Sequence, residues 1–370
     1  MMTRTRRRPS NDRTTSRVAR DPQRRDTGSR PATARHRPVA FLCSTIVSVA
    51  VLGTLFTIPA AASPKPLAKG LMSQGMQLKL FPGVVNVLVP NIAWSDIEPQ
   101  RGVFQFGPIR NAIQTARAHG DVLRLRIYAG RMAPAWTRQR FGSVMMYDPI
   151  DGLSAEVPRW WVRGYRNAYA TLQAKLAKAF DGNPTIRAVT ISEPMTIYAE
   201  PFIRGLQDSR TRHDLIASTY TKRKDQHAFV GAIKAHRVWH RTRQILTVNP
   251  WQYINQDGSF GFHVRFTNRM MNLCRRIFHN RCILQNNSMR ANWLPDSMPG
   301  GYHPMFRHMR KLGRPISFQT ANTSRVGDLT KVLNWFLSFH AHGVELKAGA
   351  ADALTLTQAK TYDAEFAANG

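Results

Sequence analysis

From Leu67 onward the chain alternates short runs rich in β-branched residues with longer segments of helical periodicity, the pattern of repeated βα units. Eight runs read as strands: 75–81, 84–89, 121–130, 186–192, 244–250, 281–287, 314–321 and 343–349. Amphipathic segments separate most of them, among them "FGPIRNAIQTARAHG" before the third and "LTKVLNWFLSFHAHG" before the eighth. Several stop at glycine, the expected helix terminator. Eight strands with helical crossovers in about 300 residues fit one (β/α)8 barrel of the α/β class, expected over residues 67–370. A doubly wound open sheet, the rival, wants a glycine-rich turn after an early strand, and the sequence has none.

The segments before this domain follow other rules. Residues 1–38 carry twelve arginines and three aspartates among Ser, Thr and Pro, which predicts a disordered cytoplasmic tail. Residues 39–62, "VAFLCSTIVSVAVLGTLFTIPAAA", are apolar and uncharged. They read as a signal peptide ending in small residues, or, because the run is long, as an uncleaved anchor holding the protein to the membrane. Arginines on the near side place the barrel on the extracytoplasmic side, secreted or membrane-anchored, by the positive-inside rule.

Net charge changes the list of partners. Of the formal +31, residues 39–370 keep 41 basic against 19 acidic residues, so the part beyond the tail is basic in its own right. That admits acidic polysaccharide as a partner. Nucleic acid is not expected, because no RNP, helix-turn-helix or zinc-finger pattern accompanies the charge. Cys274 and Cys282, in "CRRIFHNRC", are either a disulfide of an exported protein or two buried thiols. No metal is expected, since no second Cys/His pair stands at ligand spacing, and no phosphate loop or haem motif implies a cofactor. Oligomeric state is left open.

Polar and aromatic residues gather just after the strand ends. Trp94, Asp96 and Glu98 follow the second, Tyr128, Arg131 and Trp136 the third, and Glu193, Tyr198 and Glu200 the fourth. Asn249, Trp251 and Tyr253 follow the fifth, Asn286, Asn287 and Trp293 the sixth, and Gln319 and Asn322 the seventh. In a barrel these points converge on the C-terminal rim, where active sites lie. Rings stack on the C–H faces of pyranoses while Asn, Gln and Glu read hydroxyls, so the set predicts a carbohydrate site. Each Trp taken alone is explained as well by core packing.

"WSDIEPQRGVFQF", residues 94–106, resembles the segment after the second strand in clan A glycoside hydrolases, particularly the β-galactosidase-like ones. "RLRIYAGRMAPAW" is similar to their third strand and its Ala-Pro-x-Trp turn. The resemblance is at clan level, spans roughly residues 75–350, and implies a barrel acting on glycosidic bonds. It places the general acid/base after strand four, at Glu193, and the nucleophile at the end of strand seven. Two positions depart: Ser192 stands for the usual Asn, and Gln319 for the nucleophilic carboxylate. An amide is no carboxylate nucleophile. Glu200 or Glu345 then supplies the second carboxylate, or Gln319 positions a water, or the barrel binds glycans without cleaving them. Structural roles compete with these: a helix cap for Glu200 and a barrel-core ion pair with Arg124 or Arg126 for Glu345. Hydrolysis ranks ahead of binding, with Trp94, Trp136, Trp251 and Trp293 lining subsites and Asn249, Asn286 and Gln319 holding hydroxyls.

Overall fold

Along "VLRLRIY" the apolar Leu123, Leu125 and Ile127 alternate with Arg124 and Arg126, and a strand of period two sends the two sets to opposite faces. The leucines and the isoleucine pack outward against helices; both arginines are fully buried on the other face, inside a closed sheet. The computed structural model describes residues 63–370 apart from 79, 150, 199, 202, 204, 295–300 and 348. The arginine-rich tail and the apolar run at 39–62 lie outside the described residues.

The barrel strands are Gly70–Gln74, then Val87–Val89 continued by Asn91–Ala93, then Val122–Tyr128 and Ile186–Thr190. Arg243–Thr247, Cys282–Met289, Ile316–Thr320 and Gly343–Leu346 complete the eight. The second strand is interrupted at Pro90, which has no N–H to donate to the ladder. All barrel neighbours are parallel, and the first strand pairs with both the second and the eighth, which closes the sheet. The first strand differs from the expected 75–81. Gly75 and Met76 both adopt positive φ (81° and 59°), turning the chain out of the sheet, so "GMQLKLF" is a loop that packs Leu80 and Phe81 on the core.

Helices cover the outside. In Arg163–Phe180 the buried Tyr165, Tyr169, Leu172, Leu176 and Phe180 recur at helical spacing, and that stripe packs on strands three and four. Two antiparallel hairpins leave the barrel: Ser143–Asp148 with Leu153–Pro158 after strand three, and Gln252–Ile254 with Phe260–Phe262 after strand five. Cys274 and Cys282 form a disulfide, Cα atoms 5.8 Å apart, tying the helix Val264–Phe278 to the start of strand six. Among the described residues no helix is long and apolar enough to cross a membrane.

Candidate active site

The barrel interior is polar toward its C-terminal end. Glu345, in mid strand eight and fully buried, accepts from Arg126 Nη2 on both oxygens (2.8 and 2.6 Å), with Arg124 Nη2 at 3.8 Å. Gln285 Nε2 and Gln319 Nε2 donate to the same carboxylate at 3.1 and 2.9 Å. Burial pushes Glu345 up, but the guanidiniums of Arg126 and Arg124 and these hydrogen bonds outweigh it and hold the carboxyl below its ordinary value. Glu345 is therefore the barrel-core ion-pair partner, ionised and enclosed.

Above this network opens a cavity of about 450 Å³ on the C-terminal rim. Two carboxylates line it: Glu200, from the loop after strand four, and Asp151, from the tip of the first hairpin. Asp151 is paired with Arg325, and the Tyr198 hydroxyl lies 2.9 Å from Asp151 Oδ2 and 2.8 Å from Asp148 Oδ2, its one hydrogen shared between the two carboxylates. Glu200 is 8 % exposed. Tyr128, Tyr198, Trp293 and Tyr302 supply rings, and Gln74, Asn249, Asn287, Gln319 and Asn322 supply amides. Arg290 lies over the Trp293 ring at 3.8 Å. Asn249 Oδ1 is occupied by donors from Asn286 (3.2 Å) and Tyr302 (3.1 Å).

Glu193 sits elsewhere. Ile191 N still pairs with Ile245 O of strand five, but Ser192 N turns out to Tyr169 Oη (2.9 Å) on the helix packed outside. Tyr169 is itself fixed by His236 Nε2 at 2.7 Å, and His236 Nδ1 meets Gln244 Oε1 at 2.6 Å. The backbone thus leaves the sheet at Ser192. The Glu193 carboxyl is 2 % exposed, outside the residues lining the cavity, with no hydrogen-bond partner for either oxygen among the described residues. Burial raises its pKa well above the carboxylate range, with Arg166 opposing only in part; burial and Glu193 together push Tyr165 up.

Of the residues expected at the site, the cavity gathers Glu200, Tyr128, Tyr198, Asn249, Trp293 and Gln319. Trp94 is fully buried, donates Nε1 to Glu98 Oε2 (2.9 Å), and meets Trp136 edge-on at 6.2 Å; both rings belong to the core under the first helices. Trp251 is buried and donates to Asp225, and Asn286 acts from behind, on Val248 O (2.6 Å) and Asn249. Sequence reasoning missed Asp151, whose signal was the Asp-Gly turn at Asp151-Gly152 between two alternating segments. It also missed Arg290, Arg325 and Lys347, beyond strands six, seven and eight.

A family model described as β-galactosidase, glycoside hydrolase 42, matches residues 69–281, more than half of the chain. Among solved structures, the catalytic domain of β-amylase from Paenibacillus polymyxa is similar over 81 % of this chain and 98 % of its own, at 12 % identity and TM-score 0.52. Endo-glycoceramidase II from Rhodococcus sp., in an iminocyclitol complex, aligns over 78 % of this chain and 75 % of its own, at 14 % identity and TM-score 0.49. The first likeness is one of fold. No curated protein matches the sequence.

Proposed function

We propose, for a chain that belongs to the β-galactosidase family glycoside hydrolase 42, that it hydrolyses a glycosidic bond in the rim cavity, with Glu200 as general acid and Asp151 as general base. The observation that carries this is the composition of the cavity: two carboxylates from different loops among four rings and five amides. Rings hold the sugar by its C–H faces and amides read its hydroxyls. Glu200 gives its proton to the glycosidic oxygen as the C1–O bond breaks. Water attacks C1 and passes its proton to Asp151, which is paired with Arg325. A water-first route follows from strand seven, where Gln319 offers no carboxylate for a glycosyl-enzyme intermediate. The substrate class is a galactoside. Arg290, Arg325 and Lys347 on the cavity wall suit acidic groups on neighbouring residues of a polymer.

The extracytoplasmic location, secreted or anchored through residues 39–62, belongs to the same reading: an external polymer is met outside the cell. A second reading is favoured by one observation, the engagement of the Gln319 amide by Glu345, which leaves strand seven without a nucleophile. In that reading the barrel binds glycans and cleaves none.

The anomeric protons of the product, followed by NMR during cleavage of an aryl β-galactoside, separate these. Direct water attack gives inversion, so the first-formed sugar is the α-anomer. Retention would overturn the assignment of Asp151 as base. Binding by calorimetry with no cleavage would establish the second reading.

A further inference from the structure

The cavity floor is a chain of amides whose orientations are dictated from both ends. Arginine only donates and an ionised carboxylate only accepts. Gln319 must therefore turn Nε2, not Oε1, to Glu345, as it does at 2.9 Å. Gln285 likewise turns Nε2 to Glu345 Oε1 (3.1 Å), while its Oε1 accepts from Arg124 Nη2 and from Ser317 Oγ (2.8 Å). The same Nε2 donates to Asn287 Oδ1 at 2.8 Å. The Asn287 oxygen is thereby occupied. Its Nδ2 is a buried donor with no partner among the described residues, on a side chain 6 % exposed that lines the cavity. Strand register pairs Gln285 with Ser317 and Asn286 with Phe318 and then breaks at a bulge, beyond which Asn287 and Gln319, on neighbouring strands, both line the cavity and are joined through Gln285 and Glu345.

We propose that Asn287 Nδ2 and Gln319 Oε1 form a clamp for one sugar hydroxyl, a donor beside an acceptor, and that Glu345 is the positioning residue that orients both amides. A hydroxyl answers both groups at once, since its oxygen accepts from Asn287 while its hydrogen goes to Gln319. Fluorine, a carboxylate or a sulfate offers acceptors alone and sets one of them against Gln319 Oε1. The network under Gln319 thus gives the position a binding role in place of the nucleophile's. This rests on the cavity being a sugar site, and two measurements keep the two ideas apart.

The first needs no sugar. The Gln319 side-chain amide, assigned as the correlation missing in Gln319→Met, is expected to exchange slowly with water in the full chain and fast in Glu345→Gln, where either amide orientation is allowed. Fast exchange in the wild type overturns the orientation by Glu345. The second is calorimetry with galactose and its monodeoxy and monofluoro derivatives. At one ring position both replacements weaken binding by about tenfold or more, the worth of two hydrogen bonds. In Gln319→Met, which retains Glu345 and its arginines, the preference for hydroxyl over fluorine at that position falls to about one. A preference that survives in Gln319→Met overturns the clamp. Slow amide exchange without galactose binding overturns the sugar assignment and leaves the orientation standing.

Discussion

A carboxyl group with no partner in a protein interior stays neutral, because ionising it there costs more than protonation. Glu193 is such a group: enclosed, unbonded among the described residues, with burial raising its pKa well above the usual range. The linkage has a definite sign. Below the unfolded value both states hold the proton; above it the unfolded chain ionises first, so stability declines with rising pH until the folded pKa is passed. Glu193→Gln removes that decline, and its melting temperature is expected to exceed the wild type's by a margin that grows from pH 4 to pH 8. An equal loss at both ends of the range would contradict the buried placement. This detail was not legible in the sequence. "ISEP" reads correctly as a strand end followed by a carboxylate, but the alternation that tells inside from outside fails at Ser192, where a hydrogen bond to Tyr169, 23 residues earlier, turns the backbone. Arg124 and Arg126, still within the ladder, kept their alternation, and the ion pair with Glu345 could be weighed from the residues.

Elements were easiest to read where β-branched runs were long. The short "GLMSQ" of the first strand has none, and the more apolar "GMQLKLF" beside it drew the assignment although its turn lies at Gly75 and Met76. Connections between elements carried the least signal and hold much of the site. Asp225, in the first turn of the helix Lys222–Ala235, accepts from Trp160 Nε1 (2.8 Å), Trp251 Nε1 (2.8 Å) and Tyr220 Oη (3.0 Å), joining three separate rim segments. Burial raises its pKa from 3.8 to about 6 despite the three donors, so its contribution to stability is largest below about pH 4 and declines toward pH 6. Asp225→Ala leaves three buried donors without an acceptor. At about 1–3 kcal/mol for each unsatisfied group, a loss of roughly 3 kcal/mol or more is expected in denaturant titration. A change below about 0.5 kcal/mol would show that the segments hold together without it.

At the scale of the whole molecule, the barrel was legible because its repeat is periodic and its length fits, whereas the cavity depends on which loops fold over the rim. The Asp151 hairpin is one such loop. The uncharged run at 39–62 behind an arginine-rich tail leads to a separate expectation: fused to residues 1–66, a reporter enzyme is carried across the membrane with the arginines left inside. A reporter that stays in the cytosol would remove the extracytoplasmic location. For the chemistry, the decisive comparison is the turnover of an aryl β-galactoside by wild type, Glu200→Gln and Glu193→Gln, each checked for folding. With Glu200 on the cavity wall and Glu193 enclosed outside it, Glu200→Gln is expected to lose about 10²–10⁴-fold in kcat, the usual worth of a general acid, and Glu193→Gln to stay within a few-fold of wild type. The reverse pattern, with Glu193→Gln inactive and Glu200→Gln active, would contradict the assignment.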